Sequence, residues 1–202
     1  MKYFYEKLSG SQARKYFDDI ASLRISVFKE YPYMYEGSED YEKEYLETYF
    51  KSEKSLFVLV RDAFDKIIGV STAVAMEDEM DDVTKVFIEA GYALEEMVYF
   101  GESVLLKEHR GKGIGKEFFK VREEFTHVTL KRNLASFCGV VRDHNDPRKP
   151  EGYRDLEGFW EIRDFKKMAL VGEMSWQDIG EEKETKKQMQ YWMKSWSAQS
   201  EK

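Results

Sequence analysis

The segment Glu102-Ser-Val-Leu-Leu-Lys-Glu-His-Arg110-Gly-Lys-Gly113-Ile-Gly115-Lys116-Glu-Phe-Phe constrains the fold of this chain more than any other. An apolar run ends at Leu106 and a charged turn follows. Gly111, Gly113 and Gly115 then stand at the mouth of a helix whose apolar stripe is Ile114, Phe118, Val121, Phe125 and Val128. Glycines in such a turn let the backbone approach a ligand and point several amide N–H groups at one place. The first helical turn adds unpaired N–H donors and a positive dipole end, so an anion, most often a phosphate, is the natural guest. Arg110, Lys112 and Lys116 bring positive charge to the same spot.

Spacing decides which cradle this is. A Walker loop requires Gly-x4-Gly-Lys-[Ser/Thr], but the position five before Gly115 is Arg110, and Glu117 follows Lys116. The dinucleotide fingerprint Gly-x-Gly-x-x-Gly fails too, because Gly111 and Gly113 would require a glycine where Lys116 stands. These failures argue against a nucleotide-phosphate enzyme. What remains is Arg110-x-x-Gly113-x-Gly115 directly after a strand. It resembles the [Gln/Arg]-x-x-Gly-x-[Gly/Ala] pyrophosphate loop of the GNAT superfamily of N-acetyltransferases, which bind acetyl-coenzyme A.

Composition sets the frame around that loop. The chain has 202 residues, 42% of them hydrophobic, which is enough to bury one good core. Three prolines and no Gly/Ser-rich run argue for one compact domain over residues 1–202. A formal charge of −7 argues against a nucleic-acid partner, which needs a basic face. The single cysteine, Cys138, excludes an internal disulfide framework and suits a reducing, cytoplasmic setting. No apolar run approaches the roughly 20 residues of a membrane span. The opening Met-Lys-Tyr-Phe-Tyr-Glu lacks the apolar core of a signal peptide. His109, His127 and His144 have no metal-ligand spacing, so no metal is expected.

Periodicity orders the rest. Apolar positions 16, 20, 23 and 27 predict a helix over residues 11–29, broken by the tyrosine-rich loop from Tyr31 to Gly37. A second helix runs from Ser38 to about Phe50, with acidic residues at its positive end. Strands are expected at 55–60 and 67–74, separated by a turn at 62–65. An acidic surface loop (77–82) and a short helix (83–90) follow, then a strand over 97–106 that leads into the cradle. Beyond the cradle helix come a strand at 135–141, a loop at 142–152, a short helix at 156–164 and a strand at 167–172. The tail reads as a helical extension at about 183–198, with Met189, Trp192, Met193 and Trp196 on one side, either packed on the domain or forming a homodimer seam. This succession predicts a layered α/β (α+β) fold with a mixed central sheet flanked by helices. It is also the order of the GNAT acyl-CoA N-acyltransferase fold from about residue 15 to 172.

The resemblance implies particular roles. Backbone groups of Val104, Leu105 and Leu106 would pair with the pantetheine arm of acetyl-CoA. The amides from Arg110 through Gly111, Lys112, Gly113 and Ile114 to Gly115, with Lys116 beside them, would take the pyrophosphate. The family's Asn-x6-Tyr pattern falls on Tyr153 and Trp160. Trp160 therefore stands where a tyrosine usually protonates the departing thiolate, and an indole N–H cannot give up a proton. Tyr153 is the alternative acid.

The base would be a carboxylate, and Glu102 is the candidate. Counted back from the cradle, the family's base positions fall at Tyr99 and Gly101, with Glu102 on the opposite face unless the strand bulges. Tyr31, Tyr33 and Tyr35 either line an acceptor pocket or cover the core. The implied activity is transfer of acetyl from acetyl-CoA to a primary amine of a small-molecule or peptide acceptor, by direct attack in a ternary complex. The alternative is a catalytically weak acyl-CoA-binding regulatory or structural protein.

Overall fold

A computed structural model describes residues 2–196. The chain begins with an edge strand, β1 (Phe4–Leu8), which the sequence reading left unassigned. The helix expected over 11–29 is broken: α1 (Gly10–Ala13) passes through a tight turn at Arg14–Tyr16 into α2 (Phe17–Phe28). Next come α3 (Glu39–Lys51), β2 (Ser55–Arg61), β3 (Ile67–Ala75) and α4 (Asp81–Glu89). The strand predicted over 97–106 is split into β4 (Met97–Tyr99) and β5 (Ser103–Leu105). The cradle helix α5 (Ile114–Glu124), β6 (Leu134–Val140), α6 (Glu157–Glu161), β7 (Lys166–Trp176) and β8 (Thr185–Ser195) complete the fold.

The strands form one sheet in the order β1-β2-β3-β4-β6-β8-β7, with β5 also on β3. Only the β4–β6 pairing is parallel. Helices cover both faces. On one, Ile20 and Leu23 of α2, Leu46, Tyr49 and Phe50 of α3, and Val83 and Phe87 of α4 pack on Phe57, Leu59, Val70 and Val74. On the other, Ile114, Phe118 and Val121 of α5 pack on Val58, Ile68, Val98 and Phe137. The expected mixed sheet flanked by helices is the observed architecture. Among the described residues no helix is long and apolar enough to cross a membrane.

The expected C-terminal helix is a strand. β8 pairs with β6 on one side and β7 on the other, and Met189, Trp192 and Met193 are buried inside the domain. β8 is covered on both faces, with Tyr191 and Met193 in the core cluster of Phe87 and Trp192 in that of Phe137 and Phe165, so apolar residues fall on successive positions. That pattern mimics a helical stripe. The stretch 197–198 of that expectation lies outside the described residues. Val128, expected on the buried stripe of α5, is exposed. After Glu124 the helix widens to a π-turn (Phe125–Thr129) with Leu130 N–H bonded to Phe125 C=O, and the extra residue rotates Thr126 inward in its place.

Candidate active site

The break between β4 and β5 creates the cleft. Across β3, the paired positions run from Val74↔Tyr99 to Ser71↔Ser103, so three steps on β3 oppose four on its partner. One extra residue is a β-bulge, and it reverses which side chains face which way. Glu102 therefore shares the face of Tyr99 and Val104, against α2 and α3. Arg122 of α5, buried among the rings of Phe100 and Phe119, reaches the Glu102 carbonyl (3.4 Å) and the Thr72 carbonyl (3.5 Å) and so braces the bulge. Burial lowers its guanidinium pKa to about 9.

Past the bulge the sheet opens. The parallel pairing of β4 with β6 ends at Tyr99↔Ser136 and one further bond, Phe100 N–H to Ser136 C=O at 2.8 Å. Beyond it, β5 pairs only with β3, and the continuation of β6 pairs only with β8. In an antiparallel pair, alternate residues turn their N–H and C=O to opposite sides. Thr72 N–H bonds to Glu102 C=O and Leu106 N–H to Ile68 C=O, so Glu102, Val104 and Leu106 spend their backbone groups on β3. This corrects the expectation for Val104 and Leu106. The groups turned toward the open side belong to Ser103 and Leu105.

The loop before α5 makes the expected turn into a helix, with one correction: the Arg110 N–H is spent on the Lys107 carbonyl at 3.1 Å and is not free for an anion. Gly111 and Gly113 adopt φ of 74° and 87°, left-handed conformations that favour glycine. Gly113 caps α5. The N–H groups of Gly111, Lys112, Gly113, Ile114 and Gly115 find no acceptor among the described residues. They are donors available to an anion. Gly115 differs in kind, because a methyl there would only touch the Phe159 ring, at 3.4 Å.

The three cations of the cradle stand differently. Arg110 donates from Nε to the Leu105 carbonyl (3.0 Å) and holds Glu30 with both terminal nitrogens (2.7 and 3.1 Å). Lys112 bonds to the Glu108 carbonyl at 2.7 Å. The exposed Lys116 side chain has no hydrogen bond or ion pair among the described residues.

Below the bulge lies a buried polar network that sequence reasoning missed except for Glu102. Arg24 of α2 bonds through Nε to Glu42 of α3, and its Nη1 lies 2.8 Å from Glu102 Oε2. Tyr45 donates to the same oxygen at 2.9 Å, and its hydroxyl is 3.2 Å from that of Tyr49. Tyr49 donates to Glu79 Oε2 at 2.6 Å, and the Met80 N–H caps Glu79 Oε1 at 3.0 Å. Arg24, Glu42, Glu79 and Glu102 are all at most 6% exposed. Burial works against charge on Arg24, but Glu102 and Glu42 outweigh it and keep the guanidinium charged. Burial also raises the Glu42 carboxyl against the pull of Arg24, and pushes Glu79 up to about 7. Two buried oxygens, Glu42 Oε1 and Glu102 Oε1, have no partner.

A helical wheel holds the signal for this network. Arg24 lies on the stripe of Ile20, Leu23 and Val27, and Glu42, Tyr45 and Tyr49 share a face with Leu46 and Phe50. Ionisable groups on an apolar stripe are either paired or functional.

The remaining candidates divide. The Tyr99 hydroxyl lies 3.1 Å from Cys138 Sγ, at the point where β4 and β6 part. Burial raises the pKa of both groups, that of Cys138 to about 12. Tyr31 and Tyr153 meet edge to face, with ring centroids 4.7 Å apart. Tyr33 packs between Phe28 and Trp176, and Tyr35 is buried with its hydroxyl accepting from Ser38 N–H. Tyr35 therefore belongs to the core and offers no open surface to an acceptor. Trp160 packs against Phe137 and Trp192 and over Gly139, where a methyl would come within 3.0 Å of the indole. It is half-buried against the second core layer.

Comparison with known proteins places this geometry. No protein-family model matches the chain, and no curated protein matches it significantly in sequence. Solved structures match it in fold. An acetyltransferase of the GNAT family from Streptococcus pneumoniae is similar at a TM-score of 0.58 and 12% identity, covering 96% of this chain and 100% of that one. A candidate acetyltransferase from Acinetobacter baylyi ADP1 gives 0.62 at 9% identity, covering 96% and 93%. The spermidine/spermine N-acetyltransferase SpeG from Vibrio cholerae gives 0.53 at 13%, covering 96% and 92%. The chain has the fold of the GNAT acetyltransferases.

Proposed function

We propose that this protein is an N-acetyltransferase that transfers acetyl from acetyl-CoA to a primary amine in a ternary complex. One observation carries the reading. A nest of unpaired amides stands at the mouth of α5, and a buried carboxylate with an unpartnered oxygen, Glu102 Oε1, stands at the bulge that begins β5, the strand leading to that nest. The residues fit the group that the fold implies. The amides from Gly111 to Gly115 suit its pyrophosphate, with Lys116 adding charge, while Ser103 and Leu105 offer backbone groups to its amide arm. When bound, acetyl-CoA supplies the acetyl group as a thioester.

The protein's own contribution is orientation and proton handling. The amine reaches the opening on the face of Tyr99 and Glu102, and Tyr31 with Tyr153 form an aromatic surface on that acceptor side. With acetyl-CoA bound, Glu102 Oε1 would take the proton from the amine nitrogen as that nitrogen bonds to the acetyl carbon and coenzyme A departs as its thiolate. Arg24 and Tyr45 on Oε2 leave Oε1 as the oxygen without a partner. Thiol release from acetyl-CoA, measured with a panel of primary amines, tests the reading. Wild type should turn over, and Glu102→Gln should lose at least about 100-fold in kcat with coenzyme A affinity kept.

A second reading has its own support. Trp160, packed against Phe137 and Trp192, occupies the sequence position where the family's tyrosine hydroxyl is expected, so no proton donor stands at that position. An acyl-CoA-binding protein with little catalysis predicts coenzyme A binding without thiol release across the whole panel.

A further inference from the structure

We propose that Tyr45, Tyr49 and Glu79 form a proton relay that carries the acceptor's proton away from Glu102 to the loop that precedes α4. The inference rests on the N-acetyltransferase reading above. Every link is a pair of oxygens within hydrogen-bond distance, Glu102 Oε2 to the Tyr45 hydroxyl at 2.9 Å, Tyr45 to Tyr49 at 3.2 Å, and Tyr49 to Glu79 Oε2 at 2.6 Å, and one carboxyl proton completes the chain. The chain passes along one face of α3 through positions 45 and 49, a single helical turn apart. It links the bulge to the loop between the turn at Met76–Asp78 and α4.

The surroundings hold the path open and dry. A methyl at Gly101 would stand 2.4 Å from the Tyr49 hydroxyl and 2.5 Å from Thr72 Oγ1, so the glycine in the bulge makes the room that the second link occupies. The Arg24 guanidinium lies over the Tyr45 ring, 4.0 Å from its centroid, while bonded to Glu102 and Glu42. Tyr49 is wholly buried.

The transfer balances as a concerted shift. Glu102, protonated on Oε1, turns its carboxyl about the Cγ–Cδ bond to bring that oxygen to Tyr45, and then gives its proton to the Tyr45 oxygen as Tyr45 gives its own to Tyr49 and Tyr49 gives its own to Glu79. Three O–H bonds break, three form, and the net change is Glu102 carboxyl to carboxylate and Glu79 carboxylate to carboxyl. Both tyrosines end neutral, so neither buried phenol has to ionise.

The end station is suited to the task. Glu79 has a pKa of about 7, raised first by burial and then by Glu102, against the hydrogen bonds of Tyr49 and Met80 N–H and the charge of Arg24. Tyr99 of β4, Cys138 of β6, Tyr191 of β8 and Tyr41 of α3 also sense its charge, and all are neutral near pH 7. A carboxyl that titrates near neutrality can accept a proton in one turnover and release it before the next.

The test uses the full chain with acetyl-CoA and the best primary-amine acceptor of the panel, comparing wild type, Tyr49→Phe and Glu79→Gln over pH 5.5–9. Each variant preserves shape, and coenzyme A affinity together with melting temperature reports that the fold is intact. The relay predicts unchanged coenzyme A affinity, a kcat at least about tenfold lower in both variants, and loss from Glu79→Gln of the kcat inflection near pH 7. If wild type turns over and both folded variants keep its kcat and pH profile, the relay is overturned while the acetyltransferase reading stands. If wild type shows no turnover with any amine, both fall.

Discussion

Glu79→Gln isolates the energetic consequence of burying a carboxyl below the bulge. Glu79 titrates near 7 in the fold against an ordinary value of 4.5. The folded state therefore binds the proton more tightly than the unfolded chain. The associated stability is fully present below about pH 4.5 and is lost as pH rises through 7. At roughly 1.4 kcal/mol per pH unit, the interval from 4.5 to about 7 amounts to about 3 kcal/mol. Glutamine is neutral throughout and fits the same partners, its oxygen accepting from Met80 N–H and its amide donating to the Tyr49 hydroxyl.

Urea denaturation of both proteins from pH 4.5 to 8.5 measures the difference directly, because all other titrating groups are shared. The variant's stability relative to wild type should climb by about 3 kcal/mol across that range, with its midpoint between 4.5 and 7. A flat difference would refute the reasoning, since it would mean that Glu79 is not desolvated in the fold.

Other perturbations probe the parts separately. Arg24→Met leaves Glu42 and Glu102 buried without their cation and should cost about 3–5 kcal/mol at pH 8 by chemical denaturation. Adding Glu42→Gln should recover part of that loss. Gly113→Ala forces a side chain into the left-handed region and should cost about 1–2 kcal/mol, whereas Gly115→Ala should stay within about 0.5 kcal/mol. Arg110→Gln gives up a half-exposed pair with Glu30, at most about 1 kcal/mol of stability. Calorimetric titration should show that this variant binds coenzyme A at least about tenfold more weakly.

Local signals were legible in the sequence and non-local ones were not. The cradle was readable because positive φ at Gly111 and Gly113, the adjacent cations and the stripe from Ile114 to Val121 all lie within a dozen residues. The identity of β8 was not, because both its faces are buried by residues distant in sequence, among them Phe87 and Phe137. β1 is an edge strand with mostly exposed side chains, so little alternation marks it. The bulge is an offset between two strands, and no single-strand periodicity reveals it. Glu102 therefore looked misdirected until β3 supplied the register. Trp160 was placed by its motif position, whereas its packing is dictated by the space above Gly139. Charged side chains are ordinarily assigned to the surface, which hid Arg24 and Glu42 although both sit on apolar stripes.

Titration calorimetry of coenzyme A with wild type and Gly113→Glu tests the cradle most directly. Glutamate at position 113 places a negative charge and a strained backbone among the amides meant for a pyrophosphate. Wild type should bind, and the variant, with its melting behaviour checked, should lose at least about 100-fold in affinity. Equal affinity in the two proteins, or no binding by wild type, would contradict the assignment of this loop.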